Sequence, residues 1–190
     1  MTRAVVTGAI GDRWRAIADI TWPRIQRYAS SIGAMCYGFS ESFTSRPPAW
    51  EKLIWITEAL AIHDEVLWLD ADVLVCDRAM GVSVFGEVSL ECEQAMVIHP
   101  NPDHYNTGVW VLRDGMIPSL VAAAMEDECV HHRWWEQAAV HRVMERRQIA
   151  THRLPEKWNC WSGSPPEIEP FFRHACGMPD QLAAVRGWAS

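Results

Sequence analysis

The chain has 190 residues, enough for one domain with a continuous buried core and short for two. Its 49% apolar and 22% charged residues place it among ordinary globular proteins and exclude disordered and fibrous classes. A net charge of −7 argues against a broad basic surface for nucleic acid; the densest basic group, Arg142, Arg146 and Arg147, is interrupted by Glu145 and reads as a solvated helix face.

In chain order, AVVTGAIGD (4–12) reads as a buried strand that stops at Gly8, followed by a loop and a helix start at Asp12. It lacks the GxxxxGK[ST] spacing of a P-loop and the full GxGxxG fingerprint. Helical character runs from Arg13 to about Ser31, with Pro23 marking a kink or second start and Gly33 a stop. A second strand follows at 34–39, then a loop closed by Pro47 and Pro48. In WEKLIWITEALAIHD, Leu53, Ile56 and Leu60 form a helical apolar stripe. Lys52 lies in its first turn, where a cation opposes the helix dipole; with no structural partner evident, a phosphate contact stands beside the solvated-surface reading.

VLWLDADVLV (66–75) is the stretch around which the rest is organised. An apolar strand ends in Asp70 and Asp72, one residue apart. On a strand, side chains two apart point to one side, so the carboxylates are expected to converge. Two converging anions next to a core demand a proton or a cation, and a divalent metal suits paired carboxylate oxygens. Further strands are expected at 95–98 and from Thr107, with a turn-rich loop HPNPDHY between them. Pro118 suits the first turn of a helix carrying Ala122 to Met125, and WWEQAAVHRVMERR reads as another helix with Glu136 and Gln137 in its first turn. From Thr151 the chain is rich in proline and aromatics with little periodicity. It reads as an irregular tail, 151–190, wrapped over a preformed sheet and closing the active site.

Six cysteines show no CxxC spacing and read as free thiols of a reducing compartment. No signal peptide and no apolar run of membrane-spanning length is evident, so a cytoplasmic protein is expected. Eleven tryptophans are an unusual number; each can fill core space, and an excess also suits a cleft that stacks on sugar rings or bases. Alternating strands and helices indicate a single α/β domain over residues 1–190: a Rossmann-like α/β/α sandwich around a mostly parallel sheet, with ligands at the carboxyl ends of the strands.

Taken in order, AWEKLIWITEAL, VLWLDADVLV, YNTGVWVLRD, WWEQAAV, LPEKWNCW and HACG resemble the glycosyltransferase A fold. The resemblance runs from the first strand to about Gly177. It is to retaining enzymes of the galactosyltransferase and mannan-type group and, more distantly, to glycogenin-like enzymes. It implies a transferase moving a hexose from a nucleotide diphosphate sugar, UDP-linked by expectation, to an acceptor hydroxyl with retention of configuration. Asp70 and Asp72 match the DxD motif that binds manganese, with magnesium possible, and through it the donor diphosphate; Ala71 lies between them. His174 matches the late histidine that completes the metal site. Thr7 and Gly8 match the end of the first strand, which holds base and ribose. Lys52 matches a basic position near phosphate, and Gly177 a close approach of backbone to phosphate. Asn106 and Gly108 match a segment near donor sugar and acceptor. Glu136 and Gln137 match an acidic–Gln pair near the anomeric carbon, where Asp is commoner than Glu. Trp158 and Asn159 match a segment lining the acceptor side. The acceptor, whether glycan, protein or modified base, is not legible. Two rivals remain: a haloacid-dehalogenase-type phosphohydrolase, whose motif falls on the first strand instead of after a complete βαβα unit, and a non-catalytic nucleotide-sugar or carbohydrate binding module.

Overall fold

A computed structural model of the chain describes residues 1–99 and 104–190. The turn expected within HPNPDHY lies largely at 100–103, outside the described residues. The main sheet has six strands: β1 (Arg3–Gly8), β2 (Met35–Phe39), β3 (Glu65–Leu69), β5 (Gln94–His99), β6 (His104–Arg113) and β7 (Thr151–Arg153), in the order β2-β1-β3-β6-β5-β7. β1 pairs in parallel with β2 and β3, and β5 with β7, while β6 runs antiparallel between β3 and β5. Within the described sheet, β6 is therefore the one reversed strand, as the expected mostly parallel sandwich allows.

The strands read as unbroken apolar runs because both faces of the sheet are covered. Ala4, Val6, Val66, Trp68, Trp110 and Leu112 pack on one face under α2 (Glu51–Leu60), α3 (Ile117–Ala124) and α4 (Trp135–Arg147). Their neighbours Val5, Leu67, Leu69, Val109 and Val111 pack on the other with Ile25, Tyr28 and Ala29 of α1 (Asp12–Ser31). Alternation of side chains across the pleat produces this division. α1 continues through Pro23 without a second start. Pro23 and Asp19, whose carbonyl loses its helical donor, both face solvent, where water replaces the missing bond.

The tail is more regular than expected. It adds β7 to the sheet edge, pairs β8 (Phe172–His174) with β4 (Val73–Val75) in a separate antiparallel ribbon, and ends in α5 (Gln181–Ala189). Three-residue strands carry too few positions to show a period. Val185 of α5 joins Ile17, Leu74 and Ala175 in a small third core that ties the tail to α1 and the ribbon. All six cysteines are unpaired. Among the described residues no helix is long and apolar enough to cross a membrane.

Candidate functional site

Where β3 leaves the sheet, the chain turns sharply. Asp70 and Asp72 do not sit on one strand, as the alternation argument assumed; they occupy a turn closed by Val73 N–H donating to the Asp70 carbonyl at 3.0 Å. A short polar triplet between two apolar runs reads alike as strand or turn, and tertiary contacts select the turn. The Asp70 N–H donates to the Gly108 carbonyl at 2.8 Å, and the Thr21 hydroxyl of α1 donates to the Ala71 carbonyl at 2.8 Å. The turn still brings the carboxylates together, and it redirects the chain into β4. There Val73 pairs with His174 of β8, so the imidazole arrives beside the acids from the far end of the chain.

His174 Nε2 lies 3.3 Å from Asp72 Oδ1 and 3.8 Å from Asp70 Oδ2. One ligand atom from each of Asp70, Asp72 and His174 lies within 4.8 Å of the others. Asp72 and His174 are buried, while the Asp70 side chain keeps 29% exposure at the floor of a cleft. Burial alone would lower the His174 imidazole, yet Cys176 and Asp72 hold its pKa well above the usual histidine range. The carboxylates thus call for a cation at Nε2, and a proton or a metal meets that need. Two carboxylates and one imidazole form the mixed oxygen and nitrogen donor set that manganese accepts, so these residues fit a divalent ion. Gln181 Nε2 donates to the second oxygen of Asp72 at 2.9 Å, and Arg13 donates to Gln181 Oε1 at 2.8 Å.

Lys52 corrects the sequence reading. It is neither solvated nor without a structural partner. Its ammonium is buried, 2.9 Å from Asp70 Oδ1 and 2.8 Å from Glu136 Oε1, with the Thr107 carbonyl at 3.4 Å. The opposition to the helix dipole is outweighed by two carboxylates. Burial would lower the Lys52 pKa, but Asp70 and Glu136 raise it. Burial likewise pushes the Asp70 carboxyl up, but Lys52 and His174, with hydrogen bonds from Lys52 and Trp68, hold it below the ordinary value. At Glu136 burial prevails over Lys52, and the pKa is raised. Two acids sharing one lysine, Glu136 buried and Asp70 partly exposed, therefore differ in proton affinity.

Glu136 and Gln137 reach the cleft from the first turn of α4. Gln137 Oε1 accepts from the Thr107 N–H at 3.1 Å, which ties α4 to β6. Asn106 lines the same wall, with its Oδ1 accepting from the Gly108 N–H at 3.0 Å and from Asn159 Nδ2 at 2.9 Å. Gly108 has to be glycine here: a Cβ would stand 2.1 Å from His174 Cε1 and 2.9 Å from Asp70 Oδ2. Gly8 lines the cleft over the Trp55 ring, and Gly177, at φ 70°, lines it beside Cys176. Ala71 lines it between the two acids.

Three expectations fall outside the cleft wall. Thr7 is buried and is not part of the lining, because alternation along β1 turns its side chain into the fold. Trp158 is wholly buried against Phe171 and Phe172, and Asn159 is wholly buried against His174, so neither lines the cleft. Trp161 lines it instead, stacked on His99 with ring centroids 5.3 Å apart, and so does Trp134, stacked on His104 at 4.8 Å. His99 is held near pKa 4 by burial and by the charge on His174. Gln181, Trp134, Trp161 and His99 were not singled out in the sequence; the excess of tryptophan was the one available signal. The whole cleft has a volume of about 570 Å³ and contains Asp70, Asp72, His174, Glu136, Gln137 and Asn106 in one concavity.

By sequence, no family model and no curated relative matches the chain. Solved structures do match in fold. A glycosyltransferase involved in glycosylation of the major capsid of PBCV-1 superposes with a TM-score of 0.81 at 19% identity, covering 100% of this chain and 98% of that one. The galactosyltransferase LgtC, solved with donor and acceptor sugar analogues, gives 0.64 at 13% identity over 98% of this chain and 95% of its own. The glycosyltransferase GlyE of Streptococcus pneumoniae TIGR4 gives 0.66 at 15% identity, covering 100% of this chain and 60% of its own. At these identities the similarity is one of fold, the glycosyltransferase A sandwich.

Proposed function

We propose that the chain is a divalent-metal-dependent glycosyltransferase that moves a hexose from a nucleotide diphosphate sugar, UDP-linked, to an acceptor hydroxyl with retention of configuration. The observation that carries this reading is the convergence of Asp70, Asp72 and His174 at the floor of the cleft, from two chain segments that meet in the β4–β8 ribbon. The fold shared with glycosyltransferases supports it.

Asp70, Asp72 and His174 would hold manganese or magnesium, which when bound supplies Lewis-acid stabilisation of charge on a departing diphosphate. Ala71 and Gly177 offer backbone without bulk beside that diphosphate. Gly8, at the end of β1, would border the nucleoside. Thr7, buried behind it, acts at most through the strand.

Lys52 keeps Asp70 ionised and in place for the metal. On the other wall, the Thr107 N–H fixes the Gln137 amide, and the amide oxygen would lie near positive charge developing at the anomeric carbon. Glu136, neutralised by Lys52, supplies local field instead of an unpaired nucleophile. Asn106 borders the donor sugar. Attack by the acceptor hydroxyl from the leaving-group face, with its proton passing to the departing diphosphate oxygen, gives retention. Trp134 and Trp161 form the apolar walls against which an acceptor ring would stack.

The test is a panel of nucleotide sugars with manganese, read as nucleoside diphosphate release and anomeric configuration of product. Metal-dependent release lost in Asp72→Ala supports the proposal. Phosphate release from phosphomonoesters without turnover of any nucleotide sugar would falsify it, and binding without turnover would assign a binding module.

A further inference from the structure

Three buried residues behind the acid pair form a chain of hydrogen bonds whose direction is determined at its far end. The Gly108 backbone N–H is a donor without acceptor capacity, so the Asn106 atom 3.0 Å from it is the amide oxygen. The same oxygen lies 2.9 Å from the Asn159 side chain, which must therefore present its nitrogen. The other Asn159 atom is then the oxygen, 2.9 Å from His174 Nδ1. A carbonyl oxygen has no proton to give, so Nδ1 carries one. In the neutral ring this leaves the lone pair on Nε2, the atom facing Asp72 at 3.3 Å and Asp70 at 3.8 Å.

We infer that Asn106 and Asn159 are positioning residues that set the tautomer and plane of His174 for cation binding, with the Gly108 N–H as the fixed end of the relay. The inference rests on the metal reading of the Asp70, Asp72 and His174 cluster. It gives Asn106 a task besides bordering the sugar, with its Oδ1 shared by two donors of the relay. It also gives Asn159 a task, although that residue has no exposure to the cleft. Reversing either amide would present N–H to Nδ1, move the ring proton to Nε2 and block the atom that binds metal. In so buried a place, no water repairs the mismatch.

Outer partners of a metal-binding histidine contribute about 10- to 100-fold in metal affinity. The experiment titrates the full chain with manganese alone and reads the free ion by electron paramagnetic resonance. Electron spin echo modulation from the imidazole nitrogen reports whether His174 coordinates. Wild type is expected to bind with nitrogen modulation, and His174→Ala to lose that modulation. Asn159→Leu, and also Asn106→Leu, one step further along the relay, are expected to bind about 10- to 100-fold more weakly, with the modulation reduced or lost. Wild-type affinity and modulation in both leucine variants would overturn the relay while leaving the metal site standing.

Melting curves without metal separate loss of folding from loss of coordination. Should either variant fail to fold, wild type saturated with magnesium decides the matter. A long-range proton–nitrogen correlation spectrum must show His174 protonated at Nδ1, and a ring protonated at Nε2 with Nδ1 bare overturns the inference. A wild type that binds no manganese overturns the metal reading and the relay with it.

Discussion

Lys52→Met would expose how the two walls of the cleft are held. Methionine keeps most of the aliphatic stem and removes an ammonium that lies 2.9 Å from Asp70 Oδ1 and 2.8 Å from Glu136 Oε1. The lysine side chain is 5% exposed and that of Glu136 7%, so water cannot take over. Removing one partner of such a cluster costs about 3–5 kcal/mol, because the remaining charge is buried without compensation. Glu136 has an escape: burial already raises its pKa, and Lys52 is the main influence lowering it. A carboxyl whose folded pKa exceeds its unfolded value leaves the fold unpenalised below the unfolded value and destabilises it as pH rises through the folded one.

The loss in Lys52→Met is therefore largest in mildly alkaline buffer and shrinks toward the ordinary Glu value of 4.5. Urea unfolding of wild type and variant at about pH 8 and about pH 5 reads the difference directly. Lys52→Met with Glu136→Gln should recover part of the loss in the alkaline condition. A loss below about 1 kcal/mol, or one equal at both pH values, would refute the argument that the ammonium compensates the buried Glu136 carboxylate.

Gly108→Ala drives a methyl group into His174, whose Cε1 would lie 2.1 Å away. Overpacking costs about 1–3 kcal/mol, a lowered melting temperature of about 2–10 °C in a domain of this size, and the stabilisation by manganese should vanish in the same thermal scan. Titration of His99 followed by nuclear magnetic resonance should give a midpoint near 4, well below the ordinary 6.5, and a midpoint at the ordinary value would show that the ring is not buried beside a cationic His174. Trp161→Ala should raise the acceptor KM about two- to tenfold, the worth of one ring stacking contact, with manganese affinity unchanged. An unchanged acceptor KM would remove Trp161 from the acceptor wall.

The elements that position the site were readable where both faces of a strand or one stripe of a helix are buried. VLWL announces a central strand because Val66 and Trp68 pack to one side and Leu67 and Leu69 to the other. The stripe of α2 was visible for the same reason. The role of Lys52 on that helix is hidden from local rules because its partners stand far off in sequence, on the turn after β3 and at the start of α4. Local rules score a lysine by its own turn and are blind to such partners. The acid pair was legible as a pair and not as a turn, since Thr21 and Gly108, which hold the turn, come from α1 and β6.

His174 was reachable through resemblance alone; nothing local in RHACG distinguishes it from a packed histidine. Trp158 and Trp161 show the opposite limit. They are three positions apart in one irregular segment, and packing puts the first in the core and the second on the cleft.

The β4–β8 ribbon has a meaning for the time order of synthesis. During translation the acid pair, Lys52 and the helix that carries it emerge early, and the imidazole that answers the acids emerges after most of the chain. The ribbon cannot pair until then, since its two strands lie on either side of more than half the sequence. Such long-range closure is expected late in folding. A nascent or clipped chain can thus possess its sheet and both carboxylates yet hold a cation poorly. With the proposed metal bound, its retention would read out whether the tail has docked, and a proteolytic nick anywhere between Gly163 and Phe171 should register first as lost metal and only later as lost helix.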